Sequence, residues 1–237
     1  MGLAAPLPYR ALHEGIVALP HGLLWLDATA TLVGADAHLG YEEAIGCALP
    51  LWSSERTKEI LVRVVRATRA RELVLLGDVV HAPTMSEGAA NAIAGVLAAL
   101  REHVELVVVA GNHEGRGRGR TLLGETVEYA ERSGWVLAHG DKPVQGKLRL
   151  IAGHLHPSLP LGGRQSAPAF LSCQNLVVVP ALTPYSRGLN VLSDECANAI
   201  RRLGADPAHA GVVACTATQV YDFGPLATLR STLASAP

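Results

Sequence analysis

The chain has 237 residues, 49% of them hydrophobic, and its 20 Lys and Arg are balanced by 21 Asp and Glu, for a formal net charge of −1. That is enough apolar material for a sizeable core in a single globular domain, residues 1–237, and too little net charge for a chain-wide attraction to nucleic acid or membrane. No uninterrupted apolar stretch approaches the ~20 residues that span a bilayer. The Met1–Arg10 start, broken by Pro6 and Pro8, lacks the pattern of a secretory leader, so a soluble, cytoplasmic protein without membrane contact is expected.

In chain order, Gly15–Leu19 reads as a short strand, and Leu23–Leu26 and Thr31–Val33 read as a hairpin around Asp27–Ala30. Residues Gly40–Gly46 and Ala48–Trp52 form an irregular connection. Ser53 or Ser54 is the expected cap of a helix whose Ile60, Leu61, Val64, Val65 and Thr68 share one face, with Arg63, Arg66 and Arg69 opposite. A second helix is expected from about Ser86 to Glu102, opened by a capping box at Thr84-Met-Ser-Glu87. Gly115–Arg120, alternating Gly and Arg, is expected to be a mobile loop, and Thr121–Arg132 a short helix. Further on, Ala169–Ser172, Asn175–Pro180, Asn190–Leu192 and Gly211–Tyr221 read as strands of a second, partly antiparallel sheet, with a helix at Asp194–Leu203. Strands alternating with helices in the first half point to an α/β arrangement with helices outside. The four cysteines, Cys47, Cys173, Cys196 and Cys215, form no Cys-x-x-Cys and are expected as small buried hydrophobes.

Five strand-like runs stop at residues that carry chemistry. Thr31–Ala35 ends at Asp36-Ala-His38, Glu72–Leu76 at Gly77-Asp78, and Glu105–Ala110 at Gly111-Asn112-His113-Glu114. Trp135–Ala138 ends at His139, and Leu148–Ala152 at Gly153-His154-Leu155-His156. Asp36, His38, Asp78, Asn112, His139, His154 and His156 are too many ligands for the four positions of one zinc, and they suit two divalent ions that share a carboxylate. Asp78, alone on its strand, is the natural bridge. A sheet gains nothing in stability by gathering such groups at one edge. Two ions so held form a clamp suited to in-line displacement at phosphorus.

Those motifs, taken in order over residues 36–156, resemble the calcineurin-like metallophosphoesterases. The resemblance implies a fold of two mixed β-sheets flanked by helices, an α/β sandwich of four layers. It implies one ion on Asp36, His38, Asp78 and His156 and a second on Asp78, Asn112, His139 and His154, with His113 as the non-ligand catalytic histidine beside the scissile phosphate. Asp36–Gly40, Leu76–His81, Ala152–Pro157 and Leu176–Ala181 look most like the small bacterial and archaeal subgroup that includes DNA ligase-associated phosphoesterases, which implies DNA-repair or ligation partners. Many relatives have His-Gly-His where this chain has His139-Gly140-Asp141; Asp141 is then expected to hydrogen-bond a ligand histidine.

The expected activity is hydrolysis of phosphoesters, most simply as a phosphodiesterase on nucleic-acid or nucleotide substrates. The cofactors are two divalent ions, manganese first, with iron or zinc compatible with mixed nitrogen and oxygen ligation. Arg116, Arg118, Arg187 and His81 are the candidate substrate-binding residues, whereas His13, His21, His103 and His209 read as surface. The rivals are a phosphomonoesterase on the same site and a non-catalytic metal-containing binding module. The clusters of a metallo-β-lactamase, a P-loop and a dinucleotide fold are absent from the sequence.

Overall fold

The apolar runs become strands of two mixed sheets in a computed structural model that describes residues 7–46, 51–115, 117–144, 146 and 149–234. Four antiparallel strands come first: β1 (Arg10–His13), β2 (Ile16–Ala18), β3 (Leu24–Leu26) and β4 (Thr31–Gly34). The parallel strands β5 (Glu72–Leu76) and β6 (Glu105–Val109) follow, so the first sheet runs β1-β2-β3-β4-β5-β6. Between β4 and β5 lie α1 (Tyr41–Ala44) and α2 (Trp52–Thr68); α3 (Glu87–Arg101) joins β5 to β6, and α4 (Arg118–Leu123) follows β6.

The second sheet takes β7 (Tyr129–Arg132), β8 (Trp135–Ala138), β9 (Leu150–Ala152), β10 (Pro157–Gly162), β11 (Gln165–Cys173), β12 (Leu176–Val178) and β13 (Leu189–Asn190), in the order β13-β10-β11-β12-β9-β8-β7. The hairpin of β14 (Gly211–Cys215) and β15 (Val220–Pro225) joins it through β11. Helices α5 (Asp194–Arg202) and α6 (Leu226–Ala234) complete the chain.

The period-2 alternation of a strand sorts its side chains into layers. Leu73 and Leu75 of β5 pack toward Leu61, Val64 and Val65 of α2 and Ile93, Val96 and Leu97 of α3. Val74 and Leu76 of the same strand face the other sheet, in a core with Trp135, Leu137, Ile151, Phe170 and Val177. On the far side Val136, Ala138 and Leu171 pack against Cys196 and Ile200 of α5. Helix, sheet, sheet, helix is the layer order, as expected. Arg132 forms a two-pronged salt bridge with Glu72 at the start of β5, tying the sheets together at the end away from Asp78.

Several local expectations give way. Helix α2 begins at Trp52 with no side-chain cap: the Ser53 amide donates to Glu42 at 2.8 Å, while the Ser54 hydroxyl accepts from the Gly40 amide. A carboxylate from the preceding segment thus does what a capping serine would have done. Helix α3 is capped by Ser86, which accepts from the Ala89 amide, rather than by a box on Thr84. The expected helix at Thr121–Arg132 stops at Leu123, because Gly124 turns left-handed at φ 76°. Residues 129–132 then pair with β8 across a Ser133-Gly134 turn, both of whose residues have positive φ, a two-residue hairpin.

The Gly/Arg segment, expected as a mobile loop, is in part helical. Arg118–Arg120 form the first turn of α4, and a Cβ on Gly119 would stand 2.6 Å from the Ala82 carbonyl oxygen, so the glycine permits close packing. The run Gly211–Tyr221 is two antiparallel strands, not one, and the strand expected at Asn190–Leu192 is shifted back to Leu189–Asn190. Cys173, Cys196 and Cys215 are buried, and burial pushes the Cys215 thiol up to about 12; Cys47, part of the Ala48–Trp52 connection and the start of the Leu148 run lie outside the described residues.

Candidate metal centre

Every one of the Asp-, Asn- and His-bearing motifs sits just beyond the C-terminal end of a parallel strand. β4, β5 and β6 run parallel in one sheet and β8 and β9 in the other, and the loops that follow them converge. The convergence requires unusual backbone. Asp36, His38, Asp78, His154 and His156 all have left-handed φ between 44° and 64°. Such conformations cost about 1–3 kcal/mol each in residues other than glycine, though Asp and His tolerate them better than most. Of the nine non-glycine residues with positive φ among the described residues, five are these, a share that suits backbone held in place to aim side chains. The glycines of the motifs make room for them: a Cβ on Gly77 would stand 2.5 Å from His139 Nδ1, and one on Gly111 would run into the Asp78 amide.

Two triads result, each with ligand atoms within 4.8 Å of one another: Asp36, His38 and His156, and Asp78, His139 and His154. Asp36, His38, Asp78 and His139 are buried. The Oδ2 atom of Asp36 accepts the His154 amide at 2.8 Å, while its Oδ1 is buried without a hydrogen bond, 3.3 Å from His156 Nε2. A buried carboxylate oxygen left in that state suits a cation. Asp78 Oδ1 accepts the His113 amide at 2.8 Å, and Oδ2 lies 3.3 Å from His139 Nε2. His139 Nδ1 stands 2.9 Å from the Leu76 carbonyl, which can only accept, so Nδ1 carries the proton and Nε2 faces inward. That Nε2 meets Asn112 Oδ1 at 3.0 Å and His154 Nδ1 at 3.2 Å, so three side-chain nitrogen and oxygen atoms converge on one point.

A structure of the same shape is known. Pseudomonas putida nuclease MPE superposes with a TM-score of 0.69 at 23% identity, covering 91% of this chain and 100% of that one. At that identity the likeness establishes the fold: two mixed sheets flanked by helices. No family model and no curated protein sequence matches the chain.

The electrostatics of the site follow from its packing. Burial, then the neighbouring His156, push the His38 ring down to about 3, so it is a neutral donor. Burial works against charge on Asp78, but the hydrogen bond and charge of His139 and the His113 amide hold its carboxyl well below the usual range. Burial likewise opposes charge on His139, and the bond to Asp78 with the charges of Asp36 and Asp78 outweighs it, lifting the ring to about 9. Two buried carboxylates thus draw positive charge to the point where an ion would sit.

His113 is exposed at the rim, with Nδ1 on the His81 carbonyl at 3.1 Å and Nε2 3.8 Å from Asp78 Oδ2. His81 joins the cluster, its Nδ1 3.0 Å from His38 Nδ1, and with His38 and His113 forms a third close group. Arg187 lines a cleft beside His156, whereas Arg118 is exposed and bonds the Met85 carbonyl at 3.4 Å; Arg116 lies outside the described residues. Asp141 makes no hydrogen bond to a histidine among the described residues, contrary to expectation; it is exposed, and its charge acts on His154 from a distance. Of the histidines read as surface, His13 and His21 are half-buried, and His13 packs on Trp135.

Sequence reasoning passed over two supporting residues. Ser186 holds His156 Nδ1 at 2.7 Å, one residue before the arginine that drew notice. Glu114 Oε1 accepts the Val79 amide at 2.7 Å and so pins the loop that carries Asp78; burial raises its pKa. Its place in Gly-Asn-His-Glu was the available signal.

Proposed function

We propose that this chain is a phosphoesterase with a dinuclear metal centre, a phosphodiesterase on nucleic-acid or nucleotide substrates, of the calcineurin-like kind and closest in character to the DNA ligase-associated subgroup. One observation carries the reading: the two triads Asp36/His38/His156 and Asp78/His139/His154 adjoin, and Asp36 spans them through the His154 amide. The fold shared with a protein described as a nuclease supports it.

In this reading Asp36, His38, Asp78 and His156 hold one divalent ion and Asp78, Asn112, His139 and His154 the other, with manganese the first expectation and iron or zinc compatible. Ions so held supply Lewis acidity, activate water near neutral pH and neutralise charge at phosphorus. The chain's own residues do the rest. Leu76 fixes the His139 tautomer and Ser186 the His156 ring, so the donor set is rigid before substrate arrives. His113, oriented through Nδ1 by the His81 carbonyl, presents Nε2 to the rim, where it protonates the departing oxygen. His81 and Arg187 contact the substrate's oxygens from either side.

Elemental analysis of the purified protein, followed by turnover of bis-p-nitrophenyl phosphate with added manganese and a panel of mono-, di- and cyclic esters, tests this. Two metals per chain and diester turnover are expected. A metal-replete protein that hydrolyses no ester is a binding module instead.

A further inference from the structure

Beside His156 lies an open cleft of about 480 Å³ between the β10–β11 hairpin and residues 183–188. Its charged lining is Arg164 and Arg187, with no Asp or Glu, in a chain whose net charge is −1. Both arginines are exposed, and neither makes an ion pair among the described residues. The cleft is built as part of the metal centre. Ser186, in its wall, bonds the His156 ring, and Ser158 in β10 holds the Arg187 carbonyl at 3.1 Å. At its mouth Tyr185, 42% exposed, stacks on Tyr41 with ring centroids 4.8 Å apart and planes within 15°. Tyr41 in turn packs its ring against His81, 4.7 Å away, so the aromatic pair reaches back to the catalytic rim. The hydroxyl of Tyr185 donates to Glu42 at 3.1 Å, which fixes the ring's tilt.

We propose that this cleft is a single-strand subsite: it takes the nucleotides flanking the scissile phosphate, with Arg164 and Arg187 on backbone phosphates and a base stacked at Tyr185. The choice of ligand rests on the phosphoesterase reading of the adjoining centre. Two guanidiniums that make no ion pair among the described residues, in a lining without a carboxylate, select a polyanion. An exposed aromatic platform selects an unstacked base, which a duplex does not offer. Since every base has a π-face, the subsite recognises strandedness rather than sequence.

The test is binding, read apart from turnover. Fluorescence anisotropy of a short phosphorothioate oligodeoxythymidine, which resists hydrolysis, is measured with the purified full chain against R164S/R187S and Tyr185→Ala, each checked for an unchanged melting temperature and metal content. The double variant is expected to bind about tenfold or more weakly, with a log–log salt slope shallower by about 1.4, two single-strand phosphate contacts' worth. Tyr185→Ala is expected to lose roughly tenfold with the slope unchanged, as stacking carries no counterions. Equal binding by parent and double variant, no binding by the parent, or tighter binding of a duplex of the same length overturns the subsite. Turnover of bis-p-nitrophenyl phosphate by the parent reports separately on the metal centre: its absence, with oligonucleotide binding lost in the double variant, overturns the phosphoesterase reading and leaves the subsite standing.

Discussion

One oxygen of Asp36 accepts the backbone amide of His154 at 2.8 Å, across 118 residues, and its other oxygen is buried 3.3 Å from His156 Nε2. The first contact joins the loop after β4 to the loop after β9; the second is where a cation would be held. The two roles separate by substitution. Asp36→Asn still accepts the amide through its carbonyl oxygen but offers NH₂ in place of the second oxygen, so it is expected to fold normally and bind one metal fewer. Asp36→Ala also orphans the amide, and should lose about 1–3 kcal/mol more in urea unfolding. An Asn variant with the parent's full metal content would show that Asp36 is no ligand.

Asp78 makes a different prediction, because Oδ1 is committed to the His113 amide at 2.8 Å and only Oδ2 looks into the centre, 3.3 Å from His139 Nε2. If that oxygen is shared, Asp78→Asn removes the charge that holds both ions together and both are lost. His156→Ala should weaken chiefly one. Metal-to-protein ratios by elemental analysis decide it: two per chain in the Asp78 variant ends the bridging assignment.

Away from the site, His13 gives the fold a pH dependence. Its ring lies 4.8 Å from Trp135, and burial followed by the charge of Arg149 lowers its pKa from 6.5, opposed by a bond to Cys173. The neutral ring is the one the fold accepts. Because the folded pKa lies below the unfolded value, the contribution is fully present above pH 6.5 and is lost as pH falls from there through the folded pKa. Stability in urea should therefore decline on acidification below 6.5, and His13→Phe, which keeps a ring but cannot be protonated, should flatten that decline. His21, lowered by burial and by Arg63 and Arg56, accounts for a further share, so the flattening is partial. An unchanged slope in the variant assigns the acid sensitivity elsewhere.

The convergence of Asp and His side chains was legible in the sequence because each follows the end of a run such as Glu72–Leu76, where a local pattern already places a side chain at a sheet edge. Which residues would sit together came from the ordered motifs and their resemblance to a known family rather than from any local pattern: the pairing of Asp36 with His156 and of Asp78 with His139 depends on how two sheets face each other, which no single run encodes. The missed strands have local causes. β10 contains Pro157 and Pro160, residues that argue against a strand; Pro160 is tolerated because β13 covers only Pro157 and Ser158 on that side. At β7 the helical reading of Thr121–Arg132 overrode the Ser133-Gly134 turn signal, and pairing with Trp135–Ala138 decided the outcome. Ser86 rather than Thr84 caps α3 because the capping hydroxyl must reach the amide three residues on, and Ala89 is where the helix offers it.

The last prediction concerns His113. Its amide binds Asp78 and its Nδ1 faces the His81 carbonyl at 3.1 Å, so Nδ1 carries a proton and Nε2 is the atom presented to the rim, 3.8 Å from Asp78 Oδ2. His113 is in neither the Asp36 nor the Asp78 triad but does lie close to His38 and His81, so its role on substrate or on an ion is for experiment to separate. As a general acid it would protonate the departing alkoxide, worth roughly 10²–10⁴-fold. That help matters only when the leaving oxygen is basic. His113→Ala is therefore expected to keep both metals, lose most activity on alkyl or nucleoside esters, and lose markedly less on a nitrophenyl ester, whose leaving oxygen scarcely needs a proton. The rival role is electrostatic, an imidazolium holding a non-bridging oxygen through both ground and transition states, and it predicts similar losses on the two ester types. Comparing kcat on both esters for variant and parent at matched metal occupancy separates the two. A metal-depleted variant sinks both, since it would make His113 a ligand, with His38 and His81 as its partners.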